Sequence, residues 1–504
     1  MSRRADSIGD EPVVVIGTGP CGAVAAHQLV RRGIPVVSLD SGSSAPRGLI
    51  VRAAGNTLYR RKDWSRYQSD RVAPSAGPEV AWYSSLTLGG LSNYWTAAIP
   101  RFAPEDFTDG ARLDERFAWP IGYDDLEPYY RLAEGHLTPT VGESILGVPE
   151  SQARYHHRLP DDWMSVAATA RQHGHGLGAI PMAKGSPWMV ARRGTEFGSY
   201  QCVIEPILGD RCFELRRNAH ATTIRWSSSA GRVDAVEYID RATGELRVIP
   251  ARAVVVAAGT VDTTLLLLRS TSGDFPSGLG NSSGLVGRYL HDHPREWWTA
   301  DLGRPMRALS HPVYVAREEH SASPPLTGTS HTIGLARPAD RLRSYVRGRT
   351  RQVGVQVFGT MVPDPDFGVA LGPESIDPAH QLATITLHYD QQAVDNITSS
   401  RERLREVLRS GGLNVEIPGP FHDLLPGSSV HFAGTVRMHN DPRHGVLDAW
   451  NRMHDAPEVI VCDMSAFTTG PEKNPTLTAM AIALRAADRL ADDIAGAKTR
   501  AVRA

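Results

Sequence analysis

The sequence predicts an α/β fold, or α+β when the whole chain is considered, in which a buried parallel sheet adjoins an antiparallel one. Two kinds of apolar segment lead to this prediction. The continuous apolar runs at residues 13–16 and 254–258 are typical of parallel strands covered on both faces. The alternating runs at residues 353–361 and 382–389 are typical of antiparallel strands of a separate sheet. The 504 residues are enough for several domains or one large elaborated domain.

The composition is that of a folded protein without a dominant charge. Hydrophobic residues make up 41% of the chain, and 54 basic residues stand against 55 acidic ones, for a net charge of -1. Such a chain has no strong positive field, so we expect no nucleic-acid partner. Four cysteines lie too far apart to indicate a disulfide framework or a zinc finger; they are Cys21, Cys202, Cys212 and Cys462.

The sequence also argues against a membrane or a secreted location. Its apolar runs all fall short of the length that spans a bilayer. The N-terminal residues 1–12 begin with basic residues but lead into no apolar signal region. We therefore expect a cytoplasmic protein that does not associate with a membrane.

A glycine-rich turn between two apolar strands carries the first chemical signal. Residues 17–22 read Gly-Thr-Gly-Pro-Cys-Gly, apolar residues at helical spacing follow, and a second apolar strand over 34–39 ends at Asp40. A strand, a glycine turn, a helix, a strand and an acid in immediate succession are typical of a Rossmann-like unit that binds a dinucleotide.

The residues of this unit have distinct roles. Gly17 allows the tight turn, Gly19 lets the backbone approach a pyrophosphate, and Gly22 lets the helix pack closely on the strand. The helix N-terminus offers free N–H groups to the phosphates, and Asp40 can accept hydrogen bonds from a ribose. The acid disfavours NADP and leaves FAD or NAD. Residues 259–262 follow the other apolar run without this glycine pattern, so we expect one dinucleotide rather than two.

Beyond this unit, the chain resembles the glucose–methanol–choline (GMC) oxidoreductases, which are FAD-dependent alcohol and sugar oxidases and dehydrogenases. The resemblance covers most of the chain, and its C-terminal segments are highly specific as a combination. The similar segments are residues 13–40, 84–96, 119–130, 251–259, 286–294, 431–438, 461–465 and 474–478. Within the family, the block at residues 87–96 is most similar to the pyranose oxidase and glycoside 3-oxidase (C-glycoside oxidase) branch.

This resemblance implies an FAD cofactor that is not covalently bound. In pyranose oxidases a histidine of the glycine block is bonded to the flavin, and Tyr94 stands at the matching position here. Thr96 would lie near flavin N5, Asp463 near the ribityl chain, and the backbone of Ala221 near the adenine. The cofactor-binding residues implied beyond the glycine turn are Gly89, Gly90, Asn93, Thr96, Ala221, Asp463, Asn474 and Thr476.

His431 and Asn474 are the candidate catalytic residues. Alcohol oxidation needs a base for the hydroxyl proton, and histidine is the natural base near neutral pH. Asn474 precedes the last predicted helix, where it can bond the substrate oxygen. The resemblance implies the same pair, with His431 as the base. No metal is expected, because the histidine pairs at 156–157, 173–175 and 291–293 lack cysteine or carboxylate partners at ligand spacing.

We predict a discontinuous FAD-binding domain at residues 1–110, 200–295 and 425–504. A substrate-binding domain built on an antiparallel sheet would comprise residues 111–199 and 296–424. The implied reaction is oxidation of a secondary hydroxyl of a sugar or glycoside to a ketone, with oxygen or another electron acceptor reoxidising the flavin. Two alternatives stay open: oxidation of a non-sugar natural-product alcohol, and a hydroxynitrile-lyase-like reaction with structural FAD. The oligomeric state also stays open.

Overall fold

The structure is a computed structural model that describes residues 11–45, 79–152, 154–183, 197–317, 324–334, 348–373, 382–418 and 424–503. The α-helices in these ranges are α1 (Pro20–Arg31), α2 (Asp109–Leu113), α3 (Tyr123–Leu137), α4 (Asp161–Gln172), α5 (Thr260–Arg269), α6 (Gln391–Ser410) and α7 (Thr476–Arg503). Among them, no helix combines the length and apolarity needed to cross a membrane.

The strands in the same ranges lie between these helices, in several places as consecutive runs. They are β1 (Val13–Ile16), β2 (Val36–Leu39), β3 (Thr140–Val141), β4 (Tyr155–His156), β5 (Leu177–Ala179), β6 (Phe213–Arg216), β7 (Ala219–Ser227), β8 (Arg232–Asp240), β9 (Glu245–Pro250), β10 (Ala253–Val256), β11 (Arg288–His291), β12 (Arg295–Arg307), β13 (Val313–Val315), β14 (Thr329–Ile333), β15 (Arg349–Gly359), β16 (Gly368–Leu371), β17 (Ala383–Thr386), β18 (Ala433–Thr435) and β19 (Val459–Val461).

A parallel sheet with the strand order β19-β10-β1-β2-β6 lies in the largest hydrophobic core. Every residue of β1, β2, β10 and β19 is buried. Helix α1 packs on β1 and β2 and against the long helix α7. The continuous apolar runs therefore form a parallel sheet, as predicted, because strands covered on both faces need apolar side chains on both.

A second sheet, in the order β12-β15-β14-β13-β5, is antiparallel throughout. One face carries Trp298, Val355 and Ile333, which pack with α4 and α6 in a separate core. Directly paired residues point to the same side of a sheet. The pairing register therefore places four other side chains together on the opposite face: Trp297, Gln356, Thr332 and Tyr314. This second face, which we call the polar face, carries aromatic rings and side chains that can form hydrogen bonds.

Three smaller sheets complete the described part of the fold, and the smallest is the parallel pair of β3 and β4. Strands β7, β8 and β9 lie between β6 and β10 along the chain and form an antiparallel sheet, and a four-stranded sheet has the order β17-β16-β11-β18. The four-stranded sheet takes two strands from each of the two domains that the sequence predicts. The division into an FAD domain and a substrate domain stays a prediction.

The packing of α1 on the glycine turn can be tested at Gly22. A methyl group there would lie 2.1 Å from the Gly17 carbonyl oxygen. Gly22→Ala should therefore lower stability by about 1–3 kcal/mol, as overpacking does. The melting temperature of the cofactor-free protein measures this. Gly135→Ala in α3 is the matched control, because nothing described lies within 4 Å of its added methyl group. A melting temperature for Gly22→Ala equal to that of the control would contradict the close packing.

Candidate active site

The glycine turn lies at the carboxyl end of β1 and opens helix α1. Gly17 has a φ of +101°, and a Cβ there would lie 2.4 Å from the Ala257 carbonyl oxygen, so only glycine fits. Gly19 differs, because no described atom lies within 4 Å of a Cβ at that position. A Cβ at Gly90 would lie 3.7 Å from the Gly19 Cα. Two bare backbones thus meet beside a helix N-terminus, an arrangement that fits the diphosphate of a dinucleotide.

Hydrogen bonds within the glycine block fix its shape. The Asn93 amide group donates to the carbonyl oxygens of Leu88 and Gly90 at 2.9 and 3.0 Å. The Gly89 N–H donates to the Thr18 hydroxyl at 3.0 Å, which ties the block to the glycine turn. Asn93 therefore shapes this part of the site through hydrogen bonds from its side chain to backbone carbonyl groups.

Two buried carboxylates brace the turns at the ends of parallel strands. Asp40 follows β2 and accepts bonds from the N–H and hydroxyl of Thr18 and from the Gly42 N–H. Asp463 follows β19 and accepts from Gly259, Thr263 and Ser465. Burial raises the pKa of both carboxyl groups, and these donors oppose that effect.

The two carboxylates differ in what they can still accept. A carboxylate oxygen accepts about two hydrogen bonds. Both oxygens of Asp463 already accept two bonds from the protein. Asp40 Oδ1 accepts one bond within the described residues, from Gly42. Asp40 can therefore brace the turn and also bond a ribose hydroxyl, whereas Asp463 is committed to bracing its loops.

The other predicted cofactor residues lie on several different elements. Ala221 is buried on β7, whose first residue donates its N–H to the Asp40 carbonyl oxygen at 2.8 Å. Thr96 is exposed and precedes Ala97, which has a φ of +64°. Thr476 is the first residue of α7.

The structure brings His431 and Asn474 together although 43 positions separate them. His431 Nε2 lies 3.5 Å from Asn474 Nδ2. Burial lowers the pKa of His431 well below its usual range, and the neighbouring His293 and Arg295 add to the effect. The His431 ring is therefore neutral at neutral pH, which is the state a general base needs.

Two further residues hold His431 in place, and sequence reasoning did not assign them a role. Asp292 accepts a hydrogen bond from the His431 N–H at 3.3 Å. His293 Nδ1 lies 2.9 Å from His431 Nδ1. The sequence singled out residues 286–294 only as a family-like segment, and it weighed 291–293 only as a metal motif. In the described part of the chain, no group of three or more His, Cys, Asp or Glu residues is placed to hold a metal ion.

A buried ion network anchors the segment that carries Asn474. Lys473 is fully buried, and its ammonium group lies 2.8 Å from Asp106 and 2.9 Å from Glu472. Burial would lower the pKa of Lys473, but the two carboxylates outweigh it and raise the pKa above its usual value. The network fixes the backbone directly before Asn474, so the amide is presented by a rigid segment.

Comparison with known proteins places the chain in a family. Two family models described as GMC oxidoreductase match residues 49–295 and 379–483. The chain belongs to the GMC oxidoreductase family. It is thus a GMC-type oxidoreductase, and family membership together with the glycine backbones at the start of α1 supports FAD as its cofactor.

Similar proteins cover nearly the whole chain. The 6'''-hydroxyparomomycin C oxidase of Streptomyces lividus is 29% identical over 97% of this chain and 93% of its own. The C-glycoside 3-oxidase of Microbacterium trichothecenolyticum is 28% identical over 96% of each chain. The structure of an FAD-dependent oxidoreductase from Chaetomium thermophilum matches with a TM-score of 0.66 at 14% identity, over 97% of this chain and 100% of that one. The structural match confirms the predicted fold.

Gly19 allows a test of the proposed cofactor site with a variant that should not disturb the fold. Gly19→Ala meets no described atom and keeps an ordinary backbone, with φ at −59°, so the protein should fold normally. The added methyl group would occupy the approach to the diphosphate. We expect FAD affinity to fall about tenfold or more, since such overpacking costs about 1–3 kcal/mol. Titration of the cofactor-free variant with FAD measures this, and an unchanged dissociation constant would place the diphosphate elsewhere.

Proposed function

We propose that this protein uses dissociable FAD to oxidise a secondary hydroxyl of a sugar or glycoside to a ketone, with His431 as the base. The observation that carries the proposal is the approach of His431 Nε2 to Asn474 Nδ2 at 3.5 Å. The sugar-type substrate is supported by the relatives, whose names describe a paromomycin-type oxidase and a C-glycoside 3-oxidase.

The polar face of the second sheet suits such a substrate. Phe358 lies on this face, two residues from Gln356, and its ring centroid is 5.0 Å from that of His431. The polar face is therefore turned towards the catalytic pair. It offers aromatic surface from Trp297 and hydrogen-bonding groups from Gln356 and Thr332. A sugar presents both an apolar C–H face and hydroxyl groups, and this combination of side chains complements both.

In the proposed reaction, the His431 base and the Asn474 amide have different roles. His431 Nε2 accepts the hydroxyl proton while the carbinol C–H bond breaks and the C=O bond forms. Bound FAD supplies the acceptor for the hydride. Asn474 donates a hydrogen bond to the substrate oxygen, and the N-terminus of α7 favours the negative charge that develops there.

Two other reactions make different predictions for the same protein. Oxidation of a non-sugar alcohol would bleach the flavin anaerobically with that alcohol but not with sugars. A hydroxynitrile-lyase-like reaction would turn substrate over while the flavin stays oxidised. A panel of free sugars, O-glycosides and C-glycosides, followed by flavin absorbance without oxygen, tests all three. Readmitting oxygen or an artificial acceptor then shows what reoxidises the flavin.

We expect the FAD to be released when the protein is denatured. Tyr94 stands where pyranose oxidases have the histidine that bonds to flavin, and a tyrosine there lacks that imidazole nitrogen. Acid precipitation followed by absorbance of the supernatant measures release. Yellow colour that stays with the precipitated chain would show a covalent bond.

His431→Ala and Asn474→Ala should fail in different ways. His431→Ala removes the base, so flavin reduction by substrate should slow by about 100-fold or more while the FAD spectrum persists. Because the pKa of His431 is lowered, the wild-type rate should hold as the pH falls through the ordinary histidine value and decline only at lower pH. Stopped-flow absorbance without oxygen measures both.

This decline at low pH is the feature that separates the two variants. It should disappear in His431→Ala, which has no group to protonate there. Asn474→Ala should be slower but keep the decline, because asparagine does not titrate. A wild-type rate and pH profile in His431→Ala would exclude this residue as the base.

A further inference from the structure

Behind His431 lies a second histidine that the proposed reaction does not use. His293 is 2% exposed, and its ring centroid lies 4.9 Å from that of His431 at an angle of 75°. The two Nδ1 atoms are 2.9 Å apart, a hydrogen-bond distance. One of these nitrogens must carry a proton and the other a lone pair. The direction of this bond therefore decides what each ring can do at its other nitrogen.

Both rings are neutral in the folded protein, because burial lowers the pKa of His293 and of His431. A neutral imidazole has one N–H and one lone pair. If His431 donates from Nδ1, its Nε2 has the lone pair and can accept a proton. If His431 accepts at Nδ1, its Nε2 already carries a proton and cannot act as a base.

The surroundings of His431 Nε2 decide between the two directions. The amide nitrogen Nδ2 of Asn474 lies 3.5 Å from it, and an amide nitrogen can only donate. His431 Nε2 therefore carries the lone pair, so His431 donates from Nδ1 and His293 Nδ1 accepts. His293 then carries its proton on Nε2, which lies beside the segment before Asn474, since a Cβ at Gly470 would be 3.3 Å from it.

We propose that the Asn474 amide, His431 and His293 form a directed hydrogen-bond chain that keeps the lone pair of His431 on Nε2, the atom that faces Asn474. His293 is then a positioning residue that fixes the tautomer and the orientation of the base. A carboxylate does this in serine proteases, whereas here the partner is a neutral ring. When Nε2 takes the substrate proton, the Nδ1–H bond to His293 becomes charge-assisted and stronger.

The charged groups around the two rings come from several elements. Asp292 and Glu472 face His293 and raise its pKa, and Lys473 lowers it, but burial has the largest effect. Arg295, at the start of β12, faces His431 and lowers its pKa further. No neighbour overcomes the effect of burial, so both rings remain neutral and the chain keeps its direction.

The role of His293 can be tested with two variants of the FAD-loaded enzyme, and the kinetic test rests on His431 being the base as proposed above. His293→Phe keeps a ring but removes the acceptor for His431 Nδ1–H. His293→Asn keeps an amide oxygen near the position of Nδ1. We expect flavin reduction to slow by about 100-fold in His293→Phe, with little change in substrate KM, and to recover at least tenfold in His293→Asn. Equal rates in the two variants would overturn the positioning role.

A matched control separates this effect from general loss of a buried histidine. His331 is fully buried on β14, on the face that packs against α6, and it bonds Ser400 rather than the catalytic pair. His331→Phe should leave the rate of flavin reduction within a few-fold of wild type. A loss in His331→Phe as large as in His293→Phe would show that any buried histidine produces it.

The tautomer itself can be observed without turnover, even if the variants fold poorly. Nitrogen-15 NMR of histidine-labelled wild-type holoenzyme, with the His431 signals assigned by their absence in His431→Ala, shows which ring nitrogen is protonated. We expect a proton on Nδ1 and none on Nε2 at neutral pH. A proton on Nε2 would overturn the hydrogen-bond chain. The expected tautomer together with wild-type flavin reduction in His431→Ala would instead support the chain and exclude the proposed base.

Discussion

One buried carboxylate, Asp292, holds the catalytic region together. It is 1% exposed and lies directly after β11. The Gly427 N–H, the Ser429 hydroxyl and the His431 N–H all donate to it, and so does the Tyr389 hydroxyl. The loop before β18 thus takes its shape from a residue in the loop after β11. Since His431 belongs to that loop, its position depends on a buried charge that is satisfied only in the folded chain.

Buried carboxylates also hold the turns of the proposed cofactor site. Asp40 and Asp463 each follow a parallel strand and accept bonds from the turn that follows a neighbouring strand. Burying a carboxylate is unfavourable unless donors surround it. In all three places backbone N–H groups and hydroxyls provide those donors. The turns that would contact FAD are therefore held by bonds within the protein, which lowers the ordering that binding must impose.

The sequence was sufficient for the parts of the molecule that are encoded locally. The glycine turn, the apolar strands and the position of α7 follow from neighbouring residues, and the pair of His431 and Asn474 followed from the family resemblance. Contacts between residues that are far apart in the sequence could not be predicted from it. His293 lies 138 positions before His431, and Asp106 lies 367 positions before Lys473. Neither pair shows a local sequence pattern from which its contact could be predicted.

Strand alternation has a similar limit. The runs at residues 353–361 and 382–389 both alternate, and both form antiparallel strands. Yet β15 pairs with β12 and β14, whereas β17 pairs with β16 in the four-stranded sheet. A period of two residues shows that one side of a strand is covered, but it carries no information about which strand lies beside it.

The surroundings of His431 affect two properties of the base in opposite directions. These are the fraction of the ring that is neutral and its affinity for a proton. Burial keeps the ring neutral, so the base form predominates at neutral pH. The same burial makes the ring a weaker base, which reduces the driving force for proton transfer. A carboxylate partner would strengthen the base but would also favour its protonation before substrate binds. A neutral partner such as His293 does not favour protonation of the His431 ring before substrate binds. The driving force must then come from the substrate side, where Asn474 and the N-terminus of α7 favour negative charge on the oxygen that loses its proton.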